Sequence, residues 1–185
     1  MIKIMNKNVK LNTNIKSIAL IPLFTAFIAV CSFITVPFTI PFTMQTFGVC
    51  LAVGLLGGAK GTAAVLLYIA VGAAGVPVFA GFKSGIGALA SPTGGYIVGF
   101  IFIALIVWAS EKISEKFYVK IIAMCVGMIV CYFFGTVWFC KLYSEKSFAE
   151  ALMICVVPFI LPDAAKISLC ALIMKRVAPL IKKYL

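Results

Sequence analysis

Apolar residues fill six stretches of this chain, and polar or glycine-rich segments separate them. A membrane-spanning helix needs about 20 mostly apolar residues, so this pattern predicts an all-α integral membrane protein. We expect six transmembrane helices packed in a compact bundle, forming a single membrane domain over residues 1–185. The predicted spans cover approximately residues 15–36, 44–56, 62–74, 96–109, 119–139 and 149–174.

Prolines and glycines define the connections between these spans. Pro37 and Pro41 exclude a continuous helix after the first span, which predicts a first outer loop there. The sequence GGAKG predicts a tight turn between the second and third spans. Residues 72–95 hold seven of the fifteen glycines and form the longest irregular stretch. Irregular backbone at membrane depth is tolerated where it is buried in protein or lines a cavity, so this third outer loop is a candidate functional element.

Composition and charge agree with a membrane protein. The chain is 64% hydrophobic and 11% charged, whereas soluble domains carry about 25% charged residues. Its net charge of +11 indicates membrane topology rather than nucleic-acid binding, because the basic residues flank the apolar runs. By the positive-inside rule these flanking segments, and both chain termini, are cytoplasmic. The basic residues concerned are Lys3, Lys7, Lys10, Lys16, Lys60, Lys112, Lys116, Lys120, Lys175, Arg176, Lys182 and Lys183.

The cysteines do not indicate a metal centre. All seven lie in or beside apolar runs, no CxxC pair occurs, and the chain has no histidine. Structural and catalytic zinc sites draw on closely spaced cysteine and histidine ligands. We therefore expect no metal, and cysteines that pack as small apolar residues.

Two charged side chains, Asp163 and Lys166, lie inside the last apolar stretch. A charge at the centre of a bilayer costs about 2.5–3.5 kcal/mol on insertion scales, so such residues are candidates for a functional site that faces the bundle interior. Their spacing puts both on one helical face. Pro162 predicts a helix break that leaves Asp163 near a new helix N-terminus. A purely structural ion pair is the alternative.

Several motifs occur in a specific order along the chain. They are TMQTFG in the first outer loop, the turn GGAKG, the run GVPVFAGFKSGIGALASPTGGYIVGF, and LPDAAK in the last span. Together they resemble the BioY family, the biotin-binding S components of energy-coupling factor (ECF) transporters. The resemblance covers nearly the whole chain.

The resemblance implies a multi-pass protein of the bacterial cell membrane that captures biotin from outside. It would deliver the vitamin through an ATP-driven importer, whose other parts are a transmembrane coupling protein and two cytoplasmic ATP-binding subunits. The chain has no GxxxxGK[ST] phosphate loop, so ATP hydrolysis would belong to the partner subunits. The expected partners are thus biotin, these subunits and membrane lipid, with no nucleic acid, no cofactor and no enzymatic activity.

Carried over to this sequence, the resemblance assigns the polar head of biotin to Asp163 and Lys166. A carboxylate accepts from the two ureido N–H groups, and an ammonium donates to the ureido carbonyl. Lys83, where we expect family members often to carry arginine, is the candidate for the carboxylate of the vitamin. A lysine exposed at a loop tip is the alternative.

Other candidate residues follow from the same resemblance. We expect Gln45 to face the cavity, Phe79 and Tyr96 to form its walls, and Gly94 and Gly95 to let backbone N–H groups approach the ligand. The alternatives are an exposed loop glutamine, ordinary packing of the aromatic rings, and glycines that only begin a helix. Small residues on the first helix are candidates for the coupling-protein interface; they are Ala19, Ala26 and Ala29.

Three rival functions stay open from the sequence. One is an S component for a different vitamin, since fold does not determine ligand. Another is a solitary proton-coupled transporter that uses Asp163 and Lys166 as a relay. A membrane-embedded enzyme is the third, although the chain offers no histidine base and no paired membrane carboxylates.

Overall fold

The computed structural model of this chain describes the backbone of residues 2–37, 40–143 and 147–181, with side chains in these ranges from Ile18 onward. The described residues form eight α-helices and one two-stranded antiparallel hairpin. The helices are α1 (Ile2–Phe33), α2 (Gln45–Leu56), α3 (Gly58–Ala73), α4 (Gly85–Ala90), α5 (Gly94–Ile113), α6 (Phe117–Leu142), α7 (Phe148–Cys155) and α8 (Val157–Ile181). The strands are β1 (Thr35–Val36) and β2 (Phe42–Thr43), and a short 3-10 turn covers Ala80–Phe82.

Three helices, α5, α6 and α8, are long and apolar enough to cross a membrane. Three shorter apolar helical segments accompany them, namely Ile18–Phe33 of α1, α2 and α3. Each of the six predicted spans overlaps one or more of these elements. The helical class predicted from the sequence is therefore confirmed for the described residues, with the small β-hairpin as an addition.

The turn between α2 and α3 consists of a single residue, Gly57. Its φ of +81° lies in the left-handed region that favours glycine. The next N–H, that of Gly58, donates to Oε2 of Glu111 at 2.7 Å, which satisfies a free donor at the start of α3. Oε1 of Glu111 accepts from Lys120 at 2.6 Å. Because the turn is so short, α3 begins four residues earlier than predicted and includes Lys60.

Helices α5 and α6 form a hairpin in which glycines allow close approach. A Cβ atom on Gly99 would lie 2.6 Å from the sulfur of Cys131, and one on Gly127 would lie 2.8 Å from the Cα atom of Ile103. Both distances are shorter than van der Waals contact. Small residues let helix backbones pack closely in an apolar environment, where van der Waals contact is a main driving force.

The prediction for the last span was wrong at the helix break. The chain breaks at Val156, which separates α7 from α8 with φ −125° and ψ −53°. Pro158 then lies in the first turn of α8, where a missing N–H is tolerated. Pro162 lies inside α8, and Asp163 is the seventh residue of that helix rather than part of its N-terminal turn.

The connections after α1 and α3 lie at one end of the bundle. We call the described residues 34–37 and 40–44 loop A, and residues 74–93 loop B. Loop A contains the hairpin that pairs Thr35 with Thr43. Loop B, predicted to be irregular, contains α4 and the 3-10 turn. The Ser32 hydroxyl, near the end of α1, lies 2.6 Å from the carbonyl oxygen of Val78 in loop B and 2.7 Å from that of Ala29, so loop B packs against the end of α1 from which loop A leaves.

The structure describes the side chains of some, but not all, of the basic residues on which the topology prediction rests. Lys120 and the Gly57 turn meet at Glu111, and Lys175 lies over the ring of Phe117 at 5.3 Å, so these segments share the end opposite to loops A and B. Some of the predicted cytoplasmic residues lie outside the described side chains. These are Lys3, Lys7, Lys10, Lys16, Lys182 and Lys183.

Candidate functional site

A buried ion pair joins Asp163 and Lys166 on α8. The lysine Nζ lies 2.6 Å from Oδ1 of the aspartate, and the two residues are only 4% and 6% exposed. Residues three apart on a helix lie on the same face, and here that face points into the bundle. The structure therefore brings together the two charges that the sequence singled out.

All three ammonium protons of Lys166 have acceptors. Besides Asp163, its Nζ donates to the carbonyl oxygen of Thr43 in loop A at 2.6 Å and to Oγ1 of Thr46 in α2 at 3.2 Å. The same ammonium lies 3.9 Å from the ring centre of Phe42, an arrangement that favours a cation over an aromatic face. These contacts offset the cost of burying the charge.

The carboxylate of Asp163 is held from two further helices. Oδ1 accepts from the Thr46 hydroxyl of α2 at 3.0 Å, and Oδ2 accepts a short hydrogen bond from the Tyr132 hydroxyl of α6. Loop A, α2, α6 and α8 thus converge on one buried polar cluster. We call Thr43, Thr46, Tyr132, Asp163 and Lys166 the head pocket.

A cavity opens beside the head pocket. The centre of a water molecule can occupy only about 60 Å³ of it, less than the 300–1,000 Å³ typical of small-molecule sites, so the cavity is narrow in this structure. Apolar residues from α5 and α8 form much of its wall, among them Ile97, Phe100 and Phe159, and Ala80 of loop B also lines it. An apolar cavity with a few convergent polar groups is the usual form of a small-molecule binding site.

Comparison with known proteins identifies the family. The sequence pattern of the BioY family matches residues 5–183. The chain belongs to the BioY family. It is 36% identical to the biotin transporter BioY of Thermotoga maritima over 159 residues, which cover 85% of this chain and 93% of that protein. It is 35% identical to the probable biotin transporter BioY of Pyrococcus horikoshii over 162 residues, which cover 87% and 95% of the two chains.

A solved structure has the same fold. The crystal structure of an S-component for biotin from an ECF-type ABC transporter superposes with a TM-score of 0.80 and 27% sequence identity, covering 90% of this chain and 92% of that one. The eight-helix arrangement described above is therefore the BioY S-component fold.

In this BioY chain Gln45 begins α2, as its position after the first loop predicted. It lines the cavity, and both ends of its amide have partners. Its Nε2 donates to the Tyr68 hydroxyl at 2.6 Å, and its Oε1 accepts from the Thr43 hydroxyl at 2.9 Å. An amide with both ends paired in this way supports the residues around it.

Of the two aromatic residues predicted to wall the cavity, only Tyr96 lines it. The Tyr96 hydroxyl lies 3.4 Å from that of Thr136. Phe79 is 1% exposed and packs edge-on against Tyr68, with ring centres 5.5 Å apart. Its ring also fills the space above Gly72, where a Cβ atom would lie 2.2 Å from it. In this structure the Phe79 ring anchors loop B in the core, and its place in the cavity wall stays a prediction.

Gly94 and Gly95 make close contacts within the protein, and their predicted approach to the ligand stays a prediction. A Cβ atom on Gly94 would lie 1.6 Å from the carbonyl oxygen of Leu89, and one on Gly95 would lie 2.3 Å from the Cβ atom of Trp138. Neither glycine is among the residues that line the cavity. The close approach at this BioY motif is between parts of the protein, where α4 meets α5 and α5 meets α6.

Two other groups of predicted residues lie on the surface or in the core. Lys83 is exposed, three residues beyond the cavity-lining Ala80 in loop B, and its role stays a prediction. Ala19 and Ala26 are exposed on α1. Ala29 is buried among core residues, which argues against its place on a partner-facing surface.

Sequence reasoning missed Tyr132 and Thr46. Thr46 directly follows Gln45 in TMQTFG, so its place in this motif was a weak indication that it lies at the site. Tyr132 lies in the mostly apolar middle of α6, where a buried tyrosine hydroxyl needs a partner. That requirement marks Tyr132 as polar and paired, yet it does not reveal Asp163, which lies 31 positions away, as the partner.

Proposed function

We propose that this protein is the biotin-binding S component of an ECF importer, which captures biotin outside the cell and delivers it to the ATP-driven module. The observation that carries the proposal is the buried head pocket, where a carboxylate and an ammonium lie 2.6 Å apart beside an apolar cavity. Membership of the BioY family makes the chain a transporter component rather than an enzyme.

The chemistry of the head pocket suits the ureido group of biotin. This group offers two N–H donors and one carbonyl acceptor. The carboxylate of Asp163 accepts from N–H groups, and the ammonium of Lys166 donates to the carbonyl. Hydrogen bonds to ionised groups are stronger than those between neutral groups, so the pair favours a head that carries both donors and an acceptor.

The remainder of the vitamin is apolar apart from its carboxylate. In our proposal the thiophane ring and the valeryl chain pack against Ile97, Phe100 and Tyr96, which line the cavity. The carboxylate then reaches the mouth beneath loop B, where Lys83 supplies a positive charge. Lysine acts there as a point charge and lacks the planar fork with which arginine grips a carboxylate.

We place the protein in the bacterial cell membrane with six crossings and both termini in the cytoplasm. Helices α5, α6 and α8 supply the long crossings, and the shorter apolar segments supply the others. The positive-inside rule puts the end with Lys120 and Lys175 in the cytoplasm. Loops A and B then face outward, and the head pocket opens toward the side from which biotin arrives.

Energy for transport comes from partners in this proposal. They are a transmembrane coupling protein and two cytoplasmic ATP-binding subunits, because the chain itself carries no GxxxxGK[ST] phosphate loop. The exposed Ala19 and Ala26 of α1 leave room for a close helix contact with the coupling protein.

A vitamin panel tests this function. The purified protein is titrated with biotin, thiamine, riboflavin and folate while its thermal unfolding is followed. We expect biotin alone to raise the unfolding temperature, because a ligand that binds only the folded state stabilises it. Stabilisation by another vitamin and not by biotin would contradict the proposal and indicate an S component of different specificity.

A further inference from the structure

A second cavity lies at the end of the bundle opposite to the head pocket. The C-terminal end of α2, the turn that joins α5 to α6, and the last part of α8 surround it. The centre of a water molecule can occupy about 360 Å³ of this cavity, compared with about 60 Å³ beside the head pocket. Its size is within the range typical of small-molecule sites. We call it the inner cavity.

The inner cavity is lined by both apolar and charged side chains. The charged residues are Glu111, Glu115 and Lys120, from the end of α5, the turn and the start of α6. The large apolar side chains come from α2, α6 and α8, together with one alanine; they are Leu55, Phe117, Met174 and Ala178. The positive-inside rule places this end of the bundle at the cytoplasmic face of the membrane. A membrane lipid, with a polar head and apolar chains, matches this mixed lining.

Two of the charged residues at the inner cavity keep hydrogen-bonding capacity for a ligand. Lys120 donates to Glu111 at 2.6 Å, and an ammonium has three protons to donate. Glu111 also accepts from the N–H of Gly58. By contrast, within the described part of the chain no ion pair or hydrogen bond engages the carboxylate of Glu115. The cavity therefore offers a ligand one acceptor, Glu115, and one donor, Lys120.

The charges around the inner cavity favour a ligand that carries both signs. Glu111 and Glu115 supply two negative charges, Lys120 supplies a positive charge, and Lys175 adds another beside Phe117. A purely anionic head would lie near two carboxylates, and a purely cationic head would lie near two ammonium groups. A zwitterionic head can place its anionic group at Lys120 and its cationic group at Glu115, so that both contacts are attractive.

The cationic group of such a head should carry N–H donors. A primary ammonium donates charge-assisted hydrogen bonds to a carboxylate such as that of Glu115. A quaternary ammonium has no N–H group and is bound instead by aromatic faces. Phe117 is the aromatic residue among those that line the inner cavity, and Lys175 already lies over its ring at 5.3 Å. The lining therefore favours ethanolamine over choline.

We propose that the inner cavity binds a phospholipid of the cytoplasmic leaflet whose head is ethanolamine phosphate. Glu115 accepts from the ammonium of the lipid, Lys120 donates to its phosphate, and an acyl chain packs against Met174 and Ala178. The bound lipid joins the end of α8 to the turn between α5 and α6. The site lies at the opposite end from the head pocket, so this proposal does not depend on biotin binding.

The test titrates the full chain, purified in detergent and freed of lipid, with three phospholipids that share the same acyl chains. Their heads are phosphoethanolamine, phosphocholine and phosphoglycerol, and water-soluble phosphoethanolamine is a fourth probe. Native mass spectrometry counts the bound molecules. The variant is Glu115→Gln, at an exposed position. The matched control, Glu150→Gln, removes a carboxylate at the start of α7, where glutamine suits the capping box as well as glutamate does.

We expect the wild type to bind the ethanolamine lipid about tenfold more tightly than the choline lipid, the effect of a hydrogen bond to a charged group. Glu115→Gln should reduce this preference to about twofold or less, because the neutral amide accepts the ammonium more weakly. Glu150→Gln should keep the preference of the wild type. Biotin binding should be the same in all three proteins.

Several outcomes would overturn the lipid site. Equal binding of the ethanolamine and choline lipids by the wild type is one, and an undiminished preference in Glu115→Gln is another. Stronger binding of the glycerol lipid, lost at high salt, would assign lipid binding to general attraction by the exposed basic residues. Equally tight binding of water-soluble phosphoethanolamine would overturn the assignment to a lipid. A failure to bind biotin would overturn the proposed function alone, because the lipid titration needs no biotin.

Discussion

The Nζ atom of Lys166 lies 2.6 Å from the carbonyl oxygen of Thr43, a residue 123 positions earlier in the chain. This contact ties loop A to α8 through the same ammonium that pairs with Asp163. The ion pair is therefore both the chemical centre of the head pocket and an attachment point for the loop above it. Its disruption should affect binding and stability together.

Replacement of Lys166 by methionine should be strongly destabilising. Lys166→Met leaves the carboxylate of Asp163 buried without its counter-ion, which typically costs about 3–5 kcal/mol. The control Lys120→Met removes the pair with Glu111, whose side chains are about one fifth exposed, and should cost about 1 kcal/mol or less. Thermal unfolding in detergent measures both. Equal stability of the two variants would contradict the account of the buried pair.

Removal of the Tyr132 hydroxyl should weaken biotin binding. Its hydrogen bond to Oδ2 holds the Asp163 carboxylate in the orientation that faces the cavity. We expect Tyr132→Phe to lose about tenfold in affinity, in line with hydrogen bonds to charged groups. Tyr118→Phe is the matched control, and calorimetry measures both. An affinity equal to that of the control would remove Tyr132 from the head pocket.

Replacement of Gly94 by alanine should reduce stability. The added Cβ atom would lie 1.6 Å from the backbone carbonyl oxygen of Leu89, so the chain must shift, at a typical cost of about 1–3 kcal/mol. Gly87→Ala is the control, because a Cβ atom there meets nothing within 4 Å. Unfolding temperatures distinguish the two. If Gly94→Ala instead kept full stability and lost biotin binding, the predicted ligand contact at Gly94 would gain support.

The role of Lys83 can be tested through the ligand. Lys83→Ala should weaken biotin binding by up to about fivefold, because an exposed charge pair contributes at most about 1 kcal/mol. It should leave the binding of biotin methyl ester, which lacks the negative charge, unchanged. Lys141→Ala removes another exposed lysine, near the end of α6, and serves as the control. Equal losses for acid and ester would contradict a contact with the carboxylate.

The sequence predicted the centre of the site better than its surroundings. Asp163 and Lys166 were identified because charged side chains in an apolar helix are costly to bury in a membrane and are usually functional. Thr46 and Tyr132 carry no such signal, since their partner Asp163 lies 117 and 31 positions away. Their roles arise from helix packing, which the local pattern does not encode.

The fold, too, was only partly predictable from the sequence. Spans were predicted from apolar length, but Pro158 and Pro162 both suit the start of a helix, and only packing selects the break at Val156. Likewise, a glycine in the sequence indicates that another group can approach the backbone closely, but it does not show which group that is. At Gly94 the carbonyl of Leu89 lies close.

The most direct test of the central claim is a calorimetric titration of biotin into the wild-type protein and into Asp163→Asn. The amide keeps the shape of the side chain but loses the charge that strengthens acceptance from the ureido N–H groups. We predict that the wild type binds biotin and that Asp163→Asn, still folded, binds it at least about tenfold more weakly. Equal affinities of the two proteins for biotin would contradict the claim that the buried carboxylate recognises the vitamin.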